Sequence, residues 1–314
     1  MKDGLLNTNR NSRPNISEIQ VRIAEYLLCL EPDGALKSVR DLADMFDVSV
    51  GTISKAIQDL ESMGVVKITH RGHLGSFLEE KSIGGLWQII QDGPFVIAIT
   101  IPSNIRFEGM ATALKQLLEK NNIPTYFIFI RGSSMRLRAL QDNRCNAVVL
   151  SRLTAEGECS TKEKIALELP TMSWLTENRV YFRKGVDSYD DGIKVGVDLD
   201  SYDHRYMTDI EFQDQSITRV NTNFTQLPRL LYDARIDATI WNAEEPRLTG
   251  RQDILSRPVS DSLRAKLAGR DNRATLVIRK DDSSVQRILR DVIDVDILME
   301  IQERVVSGLL LPEY

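Results

Sequence analysis

Between Ser17 and Gly64 the apolar residues recur at helical spacing in three short blocks. Ile19, Ile23, Tyr26, Leu27 and Leu30 form one stripe at three-and-four intervals, preceded by Ser17 and Gln20 in the order of a capping box. Pro32-Asp33-Gly34 ends that helix. Ser38, with Asp41 three residues on, opens a second helix carrying Leu42, Ala43, Met45 and Phe46. After a turn at Asp47-Val48, Ser49 caps a third helix whose inner face is Ile53, Ala56, Ile57, Leu60 and Met63, and Gly64 supplies its stop. Two short helices joined by so tight a turn predict a helix-turn-helix. The run VVKITHRGHLGSFL then predicts two strands around a glycine-containing tip, a wing.

From Pro94 the period changes. FVIAITI (95–101), TYFIFI (125–130) and NAVVL (146–150) are strand-like runs apolar on both faces, separated by helical stretches, and predict a parallel sheet covered by helices. KVGVDLDSYDHRYMTD (194–209) reads as strand, polar loop and helix, and SITRVNTN (216–223) and IDATIWNAEE (236–245) add strand ends. Residues 282–314 predict one or two amphipathic helices, packed on the first lobe or shared with a dimer interface. The expected division is a flexible arm over 1–15, a winged helix-turn-helix over 16–80, a linker over 81–93 and an α/β effector domain over 94–314. Within the linker, Trp87, Ile89 and Ile90 are expected to dock onto a neighbour.

Composition narrows the class. Apolar residues make up 42% and charged residues 27%, the balance of a globular protein, and a net charge of −5 excludes a polybasic coat. No apolar run reaches the roughly 18 residues that span a bilayer, and the first residues lack the apolar core of a signal peptide. Cys29, Cys145 and Cys159 form no CxxC pair and read as reduced thiols, with Cys29 on the apolar face of its helix. The expected location is cytoplasmic, with no membrane partner and neither cofactor nor metal.

Residues 36–78 resemble the GntR-type winged helix nearly end to end, through Ser38, Arg40, Leu42, Ala43, Val48, Ser49, Thr52, Ala56, Leu60, Gly64, Gly72 and Gly75. The resemblance implies that Arg40 and the start of the third helix face double-stranded DNA and that the wing tip, with Arg71 and Gly72, approaches the minor groove. Ser49, Val50, Gly51, Thr52, Ser54 and Lys55 complete the expected DNA face: small residues allow close approach to bases, and Lys55 reaches a phosphate or guanine. Val50 and Ser54 stand where that family carries arginine, so thymine-methyl contact replaces some guanine readout. Residues 17–80 hold six Lys/Arg against eleven Asp/Glu, a net of −5, so any positive face is local, with Arg10 and Arg13 of the arm as reinforcements. A winged helix used only for protein contacts is the competing reading. His70 and His73 lack a third ligand for a metal site.

In the α/β domain the polar strand-to-helix loops mark the crevice of an open sheet. The candidate effector contacts are Ser103 and Asn104, Arg131, Gly132, Ser133 and Ser134, Ser151, Asn221 and Thr222, and Trp241 and Asn242. Ser133 and Ser134 at a helix start, with Arg131 beside them, favour a carboxylate or phosphate, although each loop taken singly reads as ordinary capping. The element order predicts two lobes, one from about 94–185 with 270–314 and one from about 190–265. That arrangement resembles the type 2 periplasmic-binding-protein fold of LysR-type effector domains. With its GntR-like head and the segments LDSYDHRYMTDIEF, IDATIWNAEE and IQERVVSGLLLPEY, the chain resembles the YhfZ family over nearly its whole length. The resemblance implies a transcriptional regulator; a homodimer and a small-molecule effector are the expected partners. An enzyme acting on a small metabolite is the alternative, but GxSxG, HExxH, GxxxxGK[ST] and CxxC are missing. His204 reads as an exposed helix-start residue, and Asp198, Asp200 and Asp203 lack the spacing of a calcium loop.

Overall fold

A computed structural model describes residues 17–91, 93–244, 248 and 252–314; the expected arm, with Arg10 and Arg13, lies outside them. The chain divides into two compact units, residues 1–93 and 94–314.

The first unit comprises α1 (Glu18–Cys29), α2 (Val39–Phe46), α3 (Val50–Ser62), β1 (Val66–His70), β2 (Ser76–Lys81) and α4 (Ile83–Ile90). The capping residues act as their spacing demands. The Ser17 hydroxyl accepts from the Gln20 amide while the Gln20 side chain reaches back, Ser38 accepts from Asp41, and Ser49 accepts from Thr52. Asp47 ends α2 in the left-handed conformation, which sets the tight turn into α3. Ile23, Leu27, Leu42, Ile53 and Leu60 are fully buried, and β1 and β2 pair antiparallel as the wing.

Two expectations for this unit need correction. The segment read as a linker is helical: α4 packs against α1 with Leu86, Trp87 and Ile89 buried. Its glycines obscured the helix in the sequence, yet Gly85 is needed, since a Cβ there would lie 2.7 Å from Val65 Cγ1. Cys29, placed on the apolar face, is exposed; none of the three cysteines forms a disulfide.

The second unit holds two five-stranded sheets. Its elements run β3 (Phe95–Ile99), α5 (Ile105–Lys120), β4 (Thr125–Phe129), α6 (Ser133–Gln141), β5 (Ala147–Ser151), α7 (Arg152–Glu158), β6 (Glu163–Glu168), β7 (Asn178–Arg183), β8 (Lys194–Val197), α8 (Tyr202–Glu211), β9 (Thr218–Asn221) and α9 (Leu227–Tyr232). They continue through β10 (Ala238–Asn242), β11 (Ile254–Pro258), α10 (Asp261–Leu267), β12 (Ala274–Arg279), α11 (Ser283–Val292) and α12 (Val295–Val306). The first sheet has the order β4-β3-β5-β12-β6 and the second β11-β7-β10-β8-β9.

Both sheets follow one plan. Within each lobe the strands lie in the order second, first, third, then an inserted antiparallel strand, then fourth; β12 and β7 are the inserted strands. This is the bilobed α/β architecture of type 2 periplasmic-binding-protein-like domains. The sheets are therefore mixed rather than parallel, because the chain crosses between lobes twice and each crossing inserts one strand. Residues 178–183, expected in the first lobe, form β7 of the second. Among the described residues no helix is long and apolar enough to cross a membrane.

Candidate functional site

The strand ends of the two lobes meet around a cavity of about 120 Å³. A cavity of ~150 Å³ takes a benzene ring, so this one has room for a small metabolite. Two aromatic pairs wall it: Phe107 with Trp174, ring centres 4.6 Å apart, and Phe224 with Trp241 at 5.5 Å.

Of the eleven residues expected to contact an effector, the structure brings Ser103, Gly132, Ser133, Trp241 and Asn242 to this cavity. The other six do different work. Asn104 caps α5 by accepting from the Arg106 amide, and its side-chain amide reaches Glu244. Ser134 is exposed. The Ser151 hydroxyl donates to Asp203. Asn221 accepts from the Leu199 amide, and Thr222 bonds Gln226. Neither of the last two lines the cavity.

Arg131 is the main correction, because its charge is already cancelled. Its guanidinium holds the buried Asp198 carboxylate through Nη1 at 2.9 and 3.0 Å, and it also pairs with Asp200. Asp198 accepts in addition from the backbone N–H groups of Asp200 and Phe224. The bonds from Arg131 run from one lobe to the other and act as a clasp. Gly132 sharpens it: its φ of +80° suits glycine, and a Cβ there would lie 3.0 Å from the Asp200 carbonyl oxygen. A second clasp joins Arg106 to Glu244, and a third Arg205 to Glu158.

Five residues further on, Arg136 has what Arg131 lacks. It lies in α6, lines the cavity and is only 5% exposed. Nη1 donates to the Ile130 carbonyl at 3.0 Å, Nε has no partner, and no described carboxylate forms an ion pair with it. Burial pulls its pKa down to about 10, with Asp203 and Glu158 opposing, so it remains cationic at neutral pH. Gly132, at the N-cap of α6, offers no side-chain acceptor to the first-turn amides.

Asp203 faces the same cavity from α8 in the second lobe. The hydroxyls of Ser151 and Thr154 both donate to its Oδ1, at 2.8 and 2.7 Å. Among the described residues nothing donates to Oδ2. Burial pushes this carboxyl up to about 6, against the pull of the two hydroxyls. Its neighbour His204 is buried, not exposed as expected. Nδ1 accepts from the Asp198 amide, which leaves Nε2 to donate to the Ile240 carbonyl, both at 2.9 Å. Burial lowers its pKa, so the ring is neutral and structural.

Position in the sequence identified the strand ends but not which of their charges are spent. Arg136 lies one turn inside its helix rather than in the loop, and Asp203 is one carboxylate among several in SYDHRYM.

In the first unit, Ser49, Gly51, Thr52, Lys55 and Asp59 line the α3 side of a groove, with Ser17 and Gln20 at the start of α1 opposite. Val50 is 48% exposed, and Arg40 and Lys55 are exposed with no ion pair among the described residues. Ser54 is half-buried, and the Ser49 and Thr52 hydroxyls bond each other. At the wing, Arg71 pairs with Asp33 at 3.2 Å and lies over the Phe77 ring, while Gly72 takes a positive φ in the exposed turn. The face is thus only locally positive.

Residues 83–314 match the YhfZ C-terminal domain, and residues 34–78 match a helix-turn-helix domain. The chain is 31% identical over 293 residues to the uncharacterized protein YhfZ of Escherichia coli strain K12, covering 93% of this chain and 95% of that one. It is also similar to the crystal structure of YhfZ from Shigella flexneri. The TM-score is 0.62 at 32% identity, over 74% of this chain and 98% of that one.

Proposed function

This chain belongs to the YhfZ family, and from that premise we propose that it is a DNA-binding transcriptional regulator that senses a small anionic metabolite between its lobes. The observation that carries this reading is the Arg136 guanidinium, buried against a metabolite-sized cavity without an ion-pair partner among the described residues. A desolvated cation without a close counter-charge is costly, and a carboxylate or phosphate on it removes that cost.

An anion held by Arg136 of the first lobe and by groups of the second favours closure over opening, in proportion to the difference in its affinity for the two states. A homodimer presents two copies of α3 to half-sites about one helical turn apart, and closure alters how well both fit. Lys55 and Arg40, exposed and not held in ion pairs, supply the phosphate contacts on the head.

The test is a gel shift on the DNA upstream of the chain's own gene, combined with thermal-shift screening of small carboxylates and phosphates. Lys55→Ala and Arg40→Ala are expected to weaken retardation. A stabilising anion is expected to change retardation of the wild type, and Arg136→Met to abolish that response. Retardation unchanged in both head variants would overturn the DNA-face assignment. An anion response that survives Arg136→Met would overturn the cleft.

A further inference from the structure

Two opposite charges line one cavity and do not touch. Arg136 approaches from α6 in the first lobe, more than nine-tenths buried, and Asp203 from the start of α8 in the second, partly buried. They form no ion pair with each other, and each has an atom left over: Nε of Arg136 and Oδ2 of Asp203 have no hydrogen-bond partner among the described residues. We propose that the ligand is a zwitterion, an amino acid or close relative, whose carboxylate meets Arg136 and the first turn of α6 while its ammonium meets Oδ2 of Asp203. The inference rests on the reading of the cleft as an anion site and narrows it to one chemical class.

The argument is by exclusion of charge types. A simple monoanion satisfies Arg136 but leaves the Asp203 carboxylate desolvated beside a new negative charge. A simple amine satisfies Asp203 and leaves Arg136 bare. A neutral sugar neutralises neither. Only a molecule carrying both charges satisfies both groups without bringing net charge into the cavity. The upward shift of the Asp203 carboxyl to about 6 shows how poorly its charge is compensated as it stands. Size agrees with a small amino acid, since a cavity of ~150 Å³ takes a benzene ring. The aromatic pairs Phe107–Trp174 and Phe224–Trp241 leave an apolar surround for a short side chain, and their π faces favour a nearby ammonium. Because the two charges sit on different lobes, a zwitterion also bridges them directly, which an ion bound to Arg136 alone does not.

The test is isothermal titration calorimetry on the full-length chain with matched sets of probes: the twenty common amino acids, the carboxylic acids left by removing the amino group, and the amines left by removing the carboxylate. At least one amino acid is expected to bind, with its acid and its amine each weaker on the order of 10- to 100-fold. Asp203→Asn should reduce the amino acid to the level of its acid and leave the acid's affinity unchanged or improved. The matched probes make the same comparison on the unaltered protein, so a misfolded variant does not stall the test. If an acid binds as tightly as its amino acid and Asp203→Asn changes nothing, the zwitterion inference falls and the anion site stands. Silence from all the amino acids also overturns it; Arg136-dependent heat from phosphate or citrate would then still support an anionic effector. If none of these anions binds, both readings fall.

Discussion

Two places between the lobes, one beside the cavity and one lining it, each set an arginine of the first lobe opposite aspartate of the second, and they differ in how completely the charges are used. Beside the cavity, Arg131 bonds both Asp198 and Asp200, and backbone N–H groups complete the Asp198 carboxylate. Lining the cavity, Arg136 and Asp203 face one space and leave it open. Saturated pairs hold structure, whereas unsaturated ones await a ligand. The difference is not in residue type or burial alone, but in whether a hydrogen-bond count closes without a further molecule.

Several substitutions would break or sharpen that contrast. The largest effect on stability is expected from Arg131→Ala, which strands the Asp198 carboxylate, 1% exposed, and should cost about 3 kcal/mol in denaturant unfolding. Adding Asp198→Asn should recover most of the loss; full stability in the single variant would refute the clasp. Arg136→Met should reverse the profile, with unfolding nearly unchanged and carboxylate affinity down on the order of 100-fold, about 2.7 kcal/mol.

Asp203→Asn should stabilise the unliganded chain above pH 6 by about 2 kcal/mol. The sign follows from its raised folded pKa. The folded state holds that proton more tightly than the unfolded state, so ionisation erodes stability as pH rises from about 4 to about 6. His204, with a lowered pKa, acts oppositely: its stability is present above the ordinary value of 6.5 and is lost as pH falls below it. In the wild type the two trends oppose each other, and Asp203→Asn should leave the loss on acidification from His204 uncovered; a pH profile of melting temperature identical to wild type would refute this. The smallest effect is expected on the head. Lys55→Ala should lower DNA affinity several-fold and reduce the salt slope by about one, while Arg71→Ala, whose charge is shared with Asp33, should move both less.

The head was legible because its signals are local. Ser17 with Gln20, Ser38 and Ser49 each cap within three residues, and the apolar period carries the rest. The strand ends of the lobes were legible for the same reason. What the sequence withheld is long-range. That Arg131 is paired, and so unavailable to a ligand, depends on Asp198 and Asp200, more than sixty residues away. Strands β7 and β12 were missed because each is inserted into its sheet after a crossing, and nothing in their own composition says so. Trp87 was flagged as a docking residue, but its partner, α1, follows only from the fold.

The shared strand plan has a consequence for the order of assembly. The second lobe has all five of its strands once residue 258 is made, although it begins later in the chain. The first lobe lacks a central strand until residue 279 emerges, and until then β5 and β6 present open edges side by side. On a ribosome the lobe that starts first finishes last, so a nascent chain stalled before Ala274 would carry one complete lobe and one split sheet exposed to any strand that could fill the gap.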